Sequence, residues 1–210
     1  MDIVDPRFEA YMRERFGRFD EPVLLAMEAE GAARGFPIVG RTVGVTLEVL
    51  ARSVGARRVM ELGSGFGYSA YWFARAVGPG GEVHCTDADP ANVEAGRGYL
   101  DRAGLGDRVR WYAGEALATF ATLQGEFDVV FSDIDKVAYP DAWRAASERI
   151  RIGGLYLCDN TLTWGAGSVL AEGASSDAVR EHNRLIAEDE RYLSTIVPTR
   201  EGVLAAVRIA

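Results

Sequence analysis

Past residue 56 the chain alternates between short apolar runs and longer stretches in which apolar residues return every three or four positions. The runs RRVMEL (57–62), EVHCTD (82–87), RVRWYA (108–113), FDVVFSD (127–133) and GLYLCD (154–159) have the length of strands. The stretches 68–77, 91–104, 115–123, 139–150 and 174–189 predict helices, with Gly104 ending the second. RYLSTIVP (191–198) and GVLAAVRI, joined across a TREG turn, predict a terminal antiparallel pair. Strands that alternate with helices imply a parallel sheet covered on both faces. Ahead of this pattern, residues 7–17, 21–34 and 42–54 predict three helices without strands of their own, the first two separated near Gly17–Asp20. These helices are expected to cap the sheet, close over a site or form a dimer contact.

The first strand runs into ELGSGFGYS (61–69), which opens the next helix. Gly63, Gly65 and Gly67 permit a tight turn and close approach of a ligand to the backbone. Asp87 ends the following strand, where a carboxylate can accept from both hydroxyls of a ribose. In open α/β sheets ligands lie beyond the carboxyl ends of the strands, so Glu61, Asp87, Asp133 and Asp159 are expected to crowd one crevice. The spacing is GxGxG after an acid, unlike the GxGxxG of dinucleotide folds, and the loop has no P-loop lysine. An adenosine-type cofactor is expected, with S-adenosylmethionine favoured over a dinucleotide or nucleoside triphosphate.

Two other apolar runs end in oxygen-bearing side chains. Phe127–Phe131 leads to Asp133, Asp135 and Lys136, and GGLYLCDN ends in Asp159 and Asn160. Two carboxylates and an amide form a hard, oxygen-only donor set that suits Mg²⁺ (or Mn²⁺, Ca²⁺). An alternative is that each acid merely caps the turn after it. Lys136 follows Asp133 by three residues, and its ammonium is destabilised beside a dication, which suits a general base. Asp135 is expected to face either metal or cofactor. His84 and His182 are isolated and are read as structural; Tyr68, Tyr71, Trp72 and Trp111 are read as core or cofactor wall.

Composition narrows the setting. With 23 basic and 31 acidic residues among 210, the net charge of −8 repels phosphate backbones and gives no general nucleic-acid footprint. No apolar run approaches the roughly 20 residues that span a bilayer, and MDIVDPRFEAYMRERF has no signal-peptide core. Cys85 and Cys158 lie inside apolar runs without a CxxC and are expected to be buried free thiols. A cytoplasmic protein is expected.

ELGSGFGYS, the DxDP of Asp87 to Pro90, GEAL (114–117), FSDIDKxxY (131–139) and CDNTL (158–162) follow one another in an order and spacing that resemble a known family. From about residue 36 onward the chain looks like a class I S-adenosylmethionine-dependent O-methyltransferase of the catechol / caffeoyl-CoA type. The resemblance implies one methyltransferase domain over 1–210, with a helical cap (1–54) on a Rossmann-like α/β core (55–210). That core has a seven-stranded, mostly parallel sheet with one antiparallel strand in a C-terminal hairpin. It implies Asp133, Asp159 and Asn160 as metal ligands and Lys136 as the catalytic lysine. Around the cofactor it implies Val39, Glu61, Gly63, Ser69, Asp87, Glu115, Ala116 and Asp135. The implied reaction is metal-assisted, in-line methyl transfer to a phenolic or enolic oxygen of a catechol-like acceptor, by a homodimer. A hydroxylated tRNA base is the alternative acceptor, and an NAD-dependent oxidoreductase the alternative enzyme. Two segments depart from the family: RTVGV (41–45), where acidic or amide-rich residues are usual, and TLTWGAGSV (161–169), with its Trp shifted by one and its loop longer.

Overall fold

A computed structural model describes residues 5–16 and 21–210; the expected break at Gly17–Asp20 lies outside them. Three helices open the chain: α1 (Pro6–Phe16), α2 (Pro22–Arg34) and α3 (Gly40–Ser53). Proline stands at the first position of α2, where its missing N–H costs nothing. Gly35, left-handed at φ 60°, stops the helix as Phe36 N–H turns back to Gly31 O (2.9 Å).

The core follows as β1 (Arg58–Leu62), α4 (Tyr68–Val77), β2 (Glu82–Asp87), α5 (Pro90–Arg102), β3 (Val109–Ala113), α6 (Ala116–Thr122), β4 (Phe127–Ser132), α7 (Tyr139–Ala146) and β5 (Ile150–Cys158). After a small hairpin, β6 (Thr163–Trp164) with β7 (Gly167–Ser168), come α8 (Ala174–Ala187), β8 (Tyr192–Val197) and β9 (Val203–Arg208). The seven-stranded sheet has the order β3-β2-β1-β4-β5-β9-β8. Its first five strands are parallel, and β9 runs antiparallel to both β5 and β8. This is the Rossmann-like arrangement expected from the sequence.

Alternate residues of each strand enter opposite cores. Val59, Val83, Val129, Phe131 and Leu157 pack under α2–α5. Met60, Val130, Tyr156 and Cys158 pack against α6–α8. Helix α3 lies close on α4 because Gly44 has no side chain: a Cβ there would stand 2.2 Å from Trp72 Nε1. The RTVGV departure is thus, at Gly44, a packing surface.

Most boundaries fall within two residues of the reading above, and two differ by about four. Helix α7 ends at Ala146, and Ile150 already pairs with Phe127 in β5. Ala142, Trp143, Ala146 and Ile150 keep a helical spacing across the end of the helix, so periodicity alone overran it. Gly153–Gly154 looked like a strand start. Instead the pairing shifts register between Phe127 and Val129, Gly153 takes φ 77°, and the strand passes through.

Candidate active site

The chain leaves β1 toward β2 on one side of the sheet, while β4 lies on the other. The crevice therefore opens beyond Leu62 and Ser132, where the strand order reverses. There Asp133 N–H donates to Leu62 O (2.9 Å), and a Cβ on Gly63 would meet Asp133 O at 2.4 Å. With φ 81°, Gly63 suits glycine twice over, by conformation and by contact.

A cavity of about 1240 Å³ fills the crevice. Its wall includes Val39, Gly63, Ser64, Gly65, Ser69, Asp87, Asp133, Lys136, Asp159 and Asn160. Glu9, Ala10 and Arg13 of α1 lie over it. Glu61, fully buried beneath the glycine loop, is pushed up to about 7 by burial; Ser69, Ser64 and Cys85 pull it part-way back. Its Oε2 accepts from the Cys85 thiol (3.4 Å), and its Oε1 is buried without a partner. Asp87 Oδ2 accepts from Gly65 N–H (3.0 Å), while Oδ1 accepts from Asp89 N–H (2.9 Å) and Asn92 Nδ2 (3.1 Å). Asp87, the expected ribose acid, and the glycine loop are therefore joined.

At the other end Lys136 Nζ donates to Tyr139 OH (2.7 Å), Asn160 Oδ1 (2.8 Å) and Ile134 O (3.3 Å), and lies 3.5 Å from Asp133 Oδ1. Tyr139, fully buried, donates in turn to Asp159 O (2.9 Å). Asp159 is 4% exposed, and its Oδ1 has no partner. Burial, and then the neighbouring Asp133, push its carboxyl up to about 8. Asp133 keeps 29% of its side-chain surface, but that surface faces the cavity, and burial raises its carboxyl as well.

The structure thus brings together Val39, Gly63, Ser69, Asp87, Asp133, Lys136, Asp159 and Asn160, with Glu61 immediately behind. It does not bring Glu115, Ala116 or Asp135 to the cavity wall. Glu115 caps α6, accepting from Leu117 N–H (3.0 Å) and Ala118 N–H (2.6 Å). Ala116 is buried behind it, and Asp135 is exposed at the start of a 3-10 turn. His84 and His182 are buried and structural, as expected, and both cysteines are free and buried.

The sequence reading missed other parts of the wall. Arg41 holds Glu28 through two bonds (2.7 and 3.0 Å), and Tyr68, expected in core or cofactor wall, donates its OH to the same carboxylate (2.8 Å). Burial opposes the charge on Glu28, but these donors win and lower its carboxyl below the usual range. The turn between β8 and β9 adds Arg200 and Glu201. Glu201 accepts from Asn160 Nδ2 (2.6 Å) and Gly165 N–H (3.1 Å). Strand-turn propensities give no sign of these partners, which stand far away in the chain.

Comparison with known proteins decides what kind of enzyme this framework serves. The model of the O-methyltransferase family matches residues 31–209. This chain belongs to that family. The methyltransferase is 35% identical over 206 residues to a Mycobacterium tuberculosis protein named "Probable O-methyltransferase", spanning 96% of this chain and 92% of the relative. Its fold matches a methyltransferase from Geobacter sulfurreducens with TM-score 0.86 and 32% identity, over 99% and 98% of the two chains. An O-methyltransferase from Bacillus cereus, solved in complex with SAH, matches with TM-score 0.84 and 26% identity over 96% and 97%. The methyltransferase is accordingly an S-adenosylmethionine-dependent enzyme, and an NAD-dependent oxidoreductase loses its footing. Among the described residues, no group of three His, Cys, Asp or Glu side chains is placed to hold a metal. The candidate set is two carboxylates and an amide, and it fits a hard cation on its own evidence: oxygen donors only, and a buried carboxylate oxygen of Asp159 with no partner.

Proposed function

We propose that the methyltransferase works with a divalent cation, Mg²⁺ or alternatively Mn²⁺ or Ca²⁺, and methylates a hydroxyl of a catechol-like small molecule. The observation that carries this reading is the convergence of Asp133, Asp159, Asn160 and Lys136 in the cavity that also holds the glycine loop. Burial holds the carboxyls of Asp133 and Asp159 above their usual range, and a dication beside them would let both ionise. Asp133, Asp159 and Asn160 would hold the cation, which when bound would supply the Lewis acidity that makes the acceptor hydroxyl more acidic.

The rest falls to side chains. Tyr139 and Asn160 hold Lys136 Nζ in place, where it takes the hydroxyl proton or, as an ammonium, steadies the charge growing on the oxygen. Asp87 holds the ribose; Glu61, Ser69, Gly63 and the Val39 backbone surround the methionine part. Glu115 and Ala116 are assigned to the adenine end and Asp135 to the cofactor by the family resemblance alone, since none of the three lines the cavity. The fold aligns nucleophile, methyl group and leaving sulfur, so positioning supplies much of the rate.

The test follows methyl transfer by mass, with catechols, caffeoyl esters and hydroxylated tRNA, each with Mg²⁺ or EDTA. A gain of one methylene on a vicinal diol, abolished by EDTA and by Asp133→Ala, is expected. Full activity of Asp133→Ala in EDTA would sink the cation reading. Methylation of tRNA alone would move the acceptor to a nucleic acid, against the net charge of −8.

A cytoplasmic homodimer completes the proposal. Phe8, Tyr11 and Phe16 of α1 are 64%, 56% and 67% exposed and offer a face for the second copy, which light scattering of the purified protein would detect. Among the described residues no helix is long and apolar enough to cross a membrane.

A further inference from the structure

Two loops meet at the oxygen-rich end of the cavity, and each contains a residue in an unusual conformation. Among the described residues, Asn160 (φ 54°) and Arg200 (φ 46°) are the only non-glycine residues with positive φ. Asparagine tolerates the left-handed region; arginine gains nothing there by itself, so the surroundings must hold it. What holds it is one local turn bond and a set of long-range bonds. Gly202 N–H closes the turn on Thr199 O (2.9 Å). Arg200 Nη1 then reaches the carbonyls of Ile38 (3.0 Å) and Val39 (2.5 Å), while Glu201 turns the other way to Asn160 Nδ2 and Gly165 N–H. Glu201 O also accepts from Leu162 N–H (3.0 Å) and Thr163 N–H (3.1 Å).

The Asn160 amide lies between an ammonium, which can only donate, and a carboxylate, which can only accept. One orientation satisfies both. We propose that Glu201 is a positioning residue for the metal-ligand set: it fixes the Asn160 amide so that Oδ1 faces Asp133 and Lys136. This rests on the divalent-cation reading above. Glu201 is not itself a ligand; it acts through Asn160, and the left-handed turn at Arg200 directs it there.

The deciding experiment titrates Mn²⁺ into the full chain saturated with S-adenosylhomocysteine, using calorimetry, for the natural protein, Glu201→Gln and Glu201→Asp. Glutamine keeps the reach and an accepting oxygen but loses the charge; aspartate keeps the charge but is one methylene short. Positioning predicts Mn²⁺ affinity within about threefold for Glu201→Gln and a loss of about 10–100-fold for Glu201→Asp. S-adenosylhomocysteine affinity should stay within about twofold in both, as a check on folding. Equal affinity of Glu201→Asp and the natural protein overturns the role of Glu201 while leaving the cation reading standing, as does a loss in Glu201→Gln as large as that in Glu201→Asp. Failure of the natural protein to bind Mn²⁺ overturns both.

Discussion

His182 shows how a single side chain behind the site ties its integrity to pH. The ring is fully buried, 3.0 Å from Tyr156 OH and 3.0 Å from Asn183 Oδ1, and it packs against Tyr139, which holds Lys136. Burial drives its pKa down from 6.5 to about 4, with Asn183 pulling weakly the other way. The neutral ring is therefore the folded form. Its contribution is complete above pH 6.5 and is lost as pH falls toward 4, because the unfolded chain takes up the proton first. The loss should reach about 2 kcal/mol by pH 5. His182→Gln cannot titrate, so its urea midpoint should fall less than that of the natural protein between pH 7.5 and pH 5. Parallel falls would assign the acid sensitivity to other groups.

Among the elements, the contact of α3 with α4 is the most exacting. Gly44→Ala would put a methyl group 2.2 Å from the ring nitrogen of the buried Trp72, so the helices must part or the indole must turn. A destabilisation of about 1–3 kcal/mol is expected from such overpacking, read as a lower urea midpoint. The same element shows what the sequence could reveal. Apolar runs located five parallel strands because buried strands need unbroken apolar residues. ELGSGFGYS, DxDK and DN announced the crevice because their chemistry is local to strand ends. The β6–β7 hairpin escaped notice, since two-residue strands leave no periodic signal. Glu28, Arg41, Arg200 and Glu201 escaped because their partners stand far away in the chain: Arg200 meets Val39, and Glu201 meets Asn160.

For the whole molecule, the cavity joins elements that otherwise share little. Its wall draws on α1, the segment before α3, the ends of β1, β2, β4 and β5, and the β8–β9 turn. A ligand that fills it should raise the stability of the entire fold. S-adenosylhomocysteine at about 100 times its Kd adds about 2.7 kcal/mol, which for a chain of this size corresponds to a rise of about 5–10 °C in Tm. A melting scan with and without this product should show it as one cooperative shift. A shift confined to a minor phase would mean that the N-terminal helices unfold independently.

The closeness of β1 and β4 has an evolutionary corollary. Leu62 and Gly63 stand at the strand end that carries the glycine loop, and Asp133 at the strand end that carries the proposed cation site; the Asp133 N–H bond to Leu62 O and the missing Cβ of Gly63 lock the two together. The distance over which the methyl group must travel is thereby a property of the sheet. The 161–168 loop, proposed to border the acceptor, leaves Asn160 in place and can be exchanged without resetting that distance. Such a chassis can acquire new acceptors by loop replacement alone, and grafting this loop between relatives should transfer acceptor preference while the transfer chemistry stays the same.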